Sequence, residues 1–180
     1  MAKDGHASFL TTRLEPFINW GQRHAMWPLP FGTSCCGIEM MATHCSDYDM
    51  ARFGSEAIRF SPRQADLIIC AGIVNSKMSP ILKTVYDQMS EPKWVMSFGA
   101  CASSGGVFPV YSVTQGIDNI IPVDIYIPGC PPSPDAVLYG LLELRERIKR
   151  GETHSQRRIR ENQPAPMEYS SITRGGAPQP

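Results

Sequence analysis

The sequence has no run of about 18 consecutive apolar residues, so no segment is long enough to cross a bilayer as a helix. Its first residues lack the basic-then-apolar pattern of a secretory signal, and Asp4 and Glu15 argue against an acid-poor transit peptide. A cytoplasm-like compartment is therefore expected. There is no G-x-G-x-x-G at a strand–helix turn, and Gly105-Gly106 alone is too little, so no nicotinamide or flavin site is expected. The four histidines, His6, His24, His44 and His154, are scattered, and no Ser–His–Asp grouping stands out. Cysteine occurs six times, yet never as a C-x2–4-C pair or a C-x2-C-x2-C run. That counts against the usual zinc knuckle and excludes the standard ferredoxin pattern. In a cytosolic chain, six thiols still point to metal or redox chemistry rather than a disulfide framework.

Net charge is also missing, but only in the sum. Residues 1–144 carry 9 Lys/Arg against 13 Asp/Glu, a balance of −4, whereas residues 145–180 carry 8 against 4, a balance of +4. Such a basic tail either docks on an acidic partner or on anionic lipid headgroups, or is simply solvated.

What is present reads as one α/β domain between two appendages. Residues 1–30 predict an amphipathic N-terminal helix and linker. Thr12 and Glu15 have capping-box spacing, Pro16 falls in the first turn, and Leu10, Leu14, Phe17, Ile18 and Ala25 follow a helical period, with Trp20 and Trp27 adding bulk. That face either packs on the core or turns to a membrane or membrane subunit. "WPLPFG" ends the helix. Residues 31–150 predict a small flavodoxin-like three-layer domain with a mainly parallel four-stranded sheet, the strands being "SEAIRF", "ADLIICAG", "KWVMSFG" and "VDIYIPG". A short helix is expected through Met41, and further helices after Ser61-Pro62, Ser79-Pro80 and Ser133-Pro134. The helix after Ser79 places Ile81, Leu82, Val85 and Met89 on one face. Residues 151–180 read as an extended polar and basic tail.

The cysteines sort by position. In open parallel sheets, ligands bind beyond the carboxyl ends of the strands. Cys101 follows "KWVMSFG" directly, Cys130 follows "VDIYIPG", and the adjacent pair Cys35-Cys36 follows a Pro/Gly loop and opens a helix. Four thiols in three loops thus share one edge. Cys70, inside an apolar strand, reads as core filling, and Cys45 as structural. Four converging cysteines suit either zinc or an iron–sulfur cluster. Adjacent residues chelate one small ion poorly, whereas they reach two corners of a larger cluster if the backbone bends sharply, aided by Gly37. With one redox centre and no site for an organic donor, the chain reads as a relay.

"TSCCGIEMMA", "DMARFGSEAIRFSPRQADLIICAG", "GACASSGGVF" and "VDIYIPGCPPSPDAVLYGLL" resemble the B (PSST-type, 20 kDa) subunit family of respiratory complex I, the proton-pumping NADH:quinone oxidoreductase, over roughly residues 10 to 150. The resemblance implies one [4Fe-4S] cluster, the last station before quinone, on Cys35, Cys36, Cys101 and Cys130. It implies a larger partner related to the hydrogenase large subunit, an upstream ferredoxin-like iron–sulfur subunit and a membrane-arm subunit; the N-terminal helix and the basic tail add the expectation of a peripheral position on the cytoplasmic side of a bacterial cell membrane. It also makes Ile38, Met40, Met41, Arg52 and Phe53 candidates for a quinone chamber. Each has a plainer reading: Met40 and Met41 as flexible core filler, Arg52 as a surface ion-pair residue, Phe53 as core. Glu39, beside the cysteines, reads as a proton carrier or as a solvated helix carboxylate.

Two rivals remain. The small subunit of a membrane-bound [NiFe] hydrogenase-type complex shares the relay role, but with C-x-x-C at the first site. A zinc-stabilised module touching nucleic acid is disfavoured by the cysteine spacing and by the acidic balance of residues 1–144; no nucleic-acid partner is expected.

Overall fold

Four short apolar segments build the molecule. In the computed structural model, which describes residues 9–153, they form one parallel sheet in the order β1 (Pro28–Gly32), β2 (Leu67–Ala71), β3 (Trp94–Phe98), β4 (Ile125–Ile127). The helices are α1 (Phe9–His24), α2 (Ser34–Thr43), α3 (Ser79–Gln88), α4 (Ala100–Ser104) and α5 (Pro134–Arg150), with 3-10 turns at Met50–Phe53, Pro62–Gln64 and Ile117–Asn119. Every residue of β2 and β3 is buried, as befits central parallel strands covered on both faces.

Alternation along the strands sorts the core into two halves. Leu67, Ile69, Trp94, Met96, Phe98, Ile125 and Ile127 face α2 and α5, where Met40, Val137, Leu141, Leu144 and Ile148 meet them. Ile68, Cys70 and Val95 face the other way, onto Leu82 and Tyr86 of α3 and Ala102 of α4. This is the expected three-layer α/β arrangement. Ser133 caps α5, its hydroxyl accepting from Ala136 N, and Arg147 Nη1 donates to Asp124 O at 2.6 Å, tying α5 to the start of β4.

The structure corrects several expectations. The edge strand is "PLPFG", and Ser55–Phe60 forms no strand. Thr33 N donates to Ala71 O and Leu67 N to Trp27 O, so alternate groups of β1 face β2. The intervening Pro28 and Pro30 therefore turn their missing N–H away from the sheet, where no ladder needs it. A further strand cannot pair there, and the one contact made is Arg59 N donating to Pro28 O at 2.9 Å. Helix α1 begins at Phe9, which puts Pro16 in its interior instead of its first turn. Leu14, Phe17, Ile18 and Trp20 are exposed, Phe17 by 67%, so the core-packing reading of this face fails for them. Helix α3 starts one residue early: its N-cap is Met78, while Ser79 Oγ bonds Asn75 O and Thr114 Oγ1 instead. Its buried stripe runs through Leu82 and Tyr86 to Met89, leaving Ile81 exposed. Among the described residues, no helix is long and apolar enough to cross a membrane. The tail expected over 151–180 lies, beyond Thr153, outside the described residues.

Candidate functional site

The register aligns the carboxyl ends of all four strands. Gly32 pairs with Ala71, Ala71 with Phe98, and Phe98 with Ile127, so one row closes the sheet. The chain leaves that row three times towards a cysteine: from Gly32 to Cys35-Cys36, from Phe98 to Cys101, and from Ile127 to Cys130. The fourth exit, after β2, carries none. It clamps the first instead, Thr33 Oγ1 donating to Ala71 O at 2.9 Å and Ile73 O at 2.7 Å.

Cys35 and Cys36 both lie in the first turn of α2. The unusual backbone is at Ser34, a non-glycine residue with φ +57°, which swings the chain from strand to helix just ahead of the pair. The bend expected between the cysteines, with Gly37 as its aid, is not what separates them. Successive side chains on a helix point about 100° apart, and this alone sends Cys36 inward, 1% exposed, and leaves Cys35 at the surface. Gly37 serves close packing, a Cβ there lying 3.4 Å from Gly32 C. Cys101 sits on α4, a single helical turn where sequence predicted loop, and is buried; Cys130 is exposed in the loop before α5. Gly99 N donates to Ile127 O and Ala100 N to Gly129 O, tying the Cys101 and Cys130 loops together.

Two glycines form the cradle. A Cβ at Gly99 would stand 2.6 Å from Cys36 Sγ, and one at Gly106 would stand 2.9 Å from Cys101 Sγ. The Gly99 backbone, φ +88°, also resists any side chain. Sequence reasoning passed over Gly99. Its signal was a glycine placed directly after a buried, mostly apolar strand and two residues before a cysteine.

The thiols act on one another. Burial pushes Cys36 up to about 12, and Cys35, Cys101 and Cys130 push it the same way, Cys35 also through a side-chain hydrogen bond. Burial, then Cys130 and Cys35, raise Cys101 too. All four cysteines are free, and no positive group acts on these two. Among the described residues, no three Cys, His, Asp or Glu side chains crowd closely enough to hold a single metal ion. The donor set is thus four sulfurs from three loops that act on one another electrostatically. Its chemistry fits a polynuclear thiolate-bound cluster, whose positive charge would reverse the tendency of buried thiols to keep their protons.

The remaining candidates divide. Ile38 and Met41 are 72% and 68% exposed, and with Cys35 they follow i, i+3 spacing along one edge of α2. Met40 faces the other way, 5% exposed, in the core. Phe53 packs partly buried against that core, and Arg52 Nε pairs with Asp49 Oδ2 at 3.8 Å on the surface, as the plainer readings had it. Glu39 is half-buried. Cys70 is wholly buried, as expected; Cys45 is exposed, its thiol donating to Met41 O at 3.5 Å.

Residues 34–144 match a known family, described as the 20 Kd subunit of NADH ubiquinone oxidoreductase. The chain is 56% identical over 155 residues to a B-type subunit, the first of its kind by name, of the NADH-quinone oxidoreductase of Symbiobacterium thermophilum, covering 83% of this chain and 93% of the relative. Among solved structures it is similar to a chain of the membrane-bound sulfane sulfur reductase, an archaeal respiratory membrane complex, with TM-score 0.76 and 38% identity over 82% of this chain and 84% of that one. It also shares a fold with a chain of an NAD+-reducing [NiFe]-hydrogenase, with TM-score 0.50 and 18% identity over 68% of this chain and 92% of that one.

Proposed function

Since the chain belongs to the family of the 20 Kd subunit of NADH ubiquinone oxidoreductase, we propose that it is the electron-transfer subunit of a membrane-bound NADH-quinone oxidoreductase, holding one [4Fe-4S] cluster on Cys35, Cys36, Cys101 and Cys130 beside a quinone chamber. The observation that carries this reading is the meeting of four free thiols from three loops along one row of strand ends. Such a cluster, when bound, supplies a one-electron relay. The chain itself supplies its anisotropy. Cys36 and Cys101 hold from the protein side, where Gly99 and Gly106 leave room, and Cys35 and Cys130 hold from the surface side. Electrons would therefore exchange across the exposed edge with other subunits, and the chain is not catalytically complete alone.

The quinone wall is proposed on that same edge. Ile38 and Met41 offer exposed, adaptable apolar surface one and two turns along α2 from Cys35, with Met40 packing beneath them. Arg52 and Phe53, on the Met50–Phe53 turn, are the remaining candidates for the chamber. An apolar wall needs a second side, and a larger partner related to the hydrogenase large subunit would provide it; the shared fold with a [NiFe]-hydrogenase chain supports such a partner. An upstream ferredoxin-like iron–sulfur subunit and a membrane-arm subunit complete the proposed neighbours, at the cytoplasmic face of a cell membrane. The hydrogenase-type alternative has only fold likeness at 18% identity behind it, against 56% for the quinone reductase relative.

The test is low-temperature EPR on the anaerobically prepared, dithionite-reduced protein together with its large partner. A spin-½ signal of one reduced cubane assigned to this chain, lost or altered in Cys36→Ser, is the expected result. A silent spectrum with about one zinc per chain would end the electron-transfer reading.

A further inference from the structure

Farther along α5, the fold places two guanidinium groups within electrostatic range of each other, with no ion-pair partner among the described residues. Arg23 and His24 close the last turn of α1. Arg145 lies eleven residues past Pro134 on α5, about 16 Å along the helix from the Cys130 loop. The turn after Met50–Phe53 forms the floor. Gly54 O accepts from Met26 N at 3.2 Å, an Arg145 terminal nitrogen stands 3.5 Å from where a Gly54 Cβ would lie, and the Arg145 guanidinium carbon is 5.9 Å from the Phe53 ring centre. The Nε atoms of both Arg23 and Arg145 are buried and have no hydrogen-bond partner.

The acids flanking Arg145 on α5, and the one that caps the Met50–Phe53 turn, are engaged elsewhere. Glu143 pairs with Arg147, Glu146 with Lys149, and Asp49 with Arg52. Burial and the charge of Arg23 hold Arg145 below its ordinary value; burial, Arg145 and Arg23 do the same to His24. No carboxylate among the described residues offsets either. Like charges on long, flexible side chains would ordinarily separate into water. Here Phe53 and Gly54 keep one of them in place, and two buried N–H donors go unused. Unused buried donors of this kind call for an acceptor that the described residues do not provide.

We propose that Arg23, His24 and Arg145 form a binding site for a phosphate group, either free or carried by an anionic phospholipid. Two forks and an imidazole present donors from several directions, whereas the two oxygens of one carboxylate lie in a single plane that one arginine fork already engages side-on. A phosphate offers three or four oxygens and up to two charges. The lipid source is included because the exposed Leu14, Phe17, Ile18 and Trp20 lie on the same helix as Arg23 and His24. Apolar surface beside a cationic helix end is the layout of a headgroup–acyl boundary.

The test uses the full chain in two arms. In one, inorganic phosphate is titrated against acetate at equal ionic strength while the unfolding temperature is followed. In the other, the chain is sedimented with phosphatidylcholine vesicles with and without phosphatidic acid. Phosphate-specific stabilisation or phosphatidic-acid-dependent sedimentation is expected. Affinity in the responding arm should fall about 10- to 100-fold in Arg145→Gln and in Arg23→Gln, the worth of a charge-assisted hydrogen bond. A response to inorganic phosphate identifies a soluble ligand; a response to phosphatidic acid alone identifies a lipid. Arg23→Gln, on the half-exposed end of α1, reports the site even if Arg145→Gln fails to fold. Equal stabilisation by acetate, binding unchanged in Arg23→Gln, or no response in either arm would overturn the proposal.

Discussion

Replacing Gly99 by alanine should damage the thiol site directly, because the added methyl group meets a cysteine sulfur. The added Cβ would stand 2.6 Å from Cys36 Sγ, against an ordinary contact of 3.4 Å or more, so the sulfur or the backbone must yield by 0.8 Å. Pro132 Cδ at 3.5 Å and Gly129 O at 3.6 Å leave little room to yield. A φ of +88° adds a backbone cost of about 1–3 kcal/mol for a non-glycine residue. Overpacking adds about 1–3 kcal/mol more. The expected loss of stability is therefore about 2–6 kcal/mol, read from urea unfolding of the full chain. Ligand distances in metal sites tolerate shifts of only about 0.2 Å, so iron and sulfide bound per chain should fall even where the protein survives. Gly21→Ala is the control: nothing lies within 4 Å of its Cβ, and inside α1 it should stabilise by about 0.5–1 kcal/mol. A Gly99→Ala protein within about 0.5 kcal/mol of the parent, with full iron, would refute the cradle.

Cys70→Ala should separate the structural thiol from the four others: it removes one wholly buried sulfur, costs about 1 kcal/mol as a missing methylene-sized group does, and leaves the iron content unchanged; iron loss would mean that Cys70 belongs to the site. In the cluster-free chain, brief iodoacetamide labelling at pH 8, read by mass spectrometry, should modify exposed Cys35, Cys45 and Cys130 first, Cys36 late, since it is buried and pushed up to about 12, and wholly buried Cys70 last. The folded chain keeps the Cys36 proton that the unfolded chain releases near pH 9.0, so the stability tied to it is intact below pH 9.0 and is lost as pH rises from there towards 12. A urea midpoint that stays flat between pH 8 and 10.5 would contradict this.

How far the sequence could be read depended on how local each cause is. The strand "ADLIICAG" was legible because a wholly buried parallel strand is apolar throughout, "KWVMSFG" because a short apolar run ends at a glycine, and the helix after Ser133-Pro134 because cap, proline and period agree within a few residues. "PLPFG" was not legible as a strand. Two prolines forbid a central strand but not an edge strand, and which side faces the sheet depends on Leu67 and Ala71, some forty residues on. The apolar face of α1 was legible as a face, but periodicity does not say what covers it. Gly99 against Cys36 is a contact between residues 63 positions apart, and Arg23 acts electrostatically on Arg145 from 122 positions away. No window of sequence contains either pair.

The tandem cysteines show how a correct placement can rest on an incomplete cause. Sequence reasoning required a sharp bend between Cys35 and Cys36 so that neighbours could reach different points. The fold puts the unusual backbone before them, at Ser34, and makes both helical. Inside a helix, adjacency is already divergence: residues i and i+1 point about 100° apart, whereas i and i+3 share a face. A C-x-x-C pair at the head of α2 would set both sulfurs on one side. The adjacent pair instead spans from the protein interior at Cys36 to its surface at Cys35 in one step. That is what a cluster needs if it is to be held by the core on one side and reached by a partner on the other.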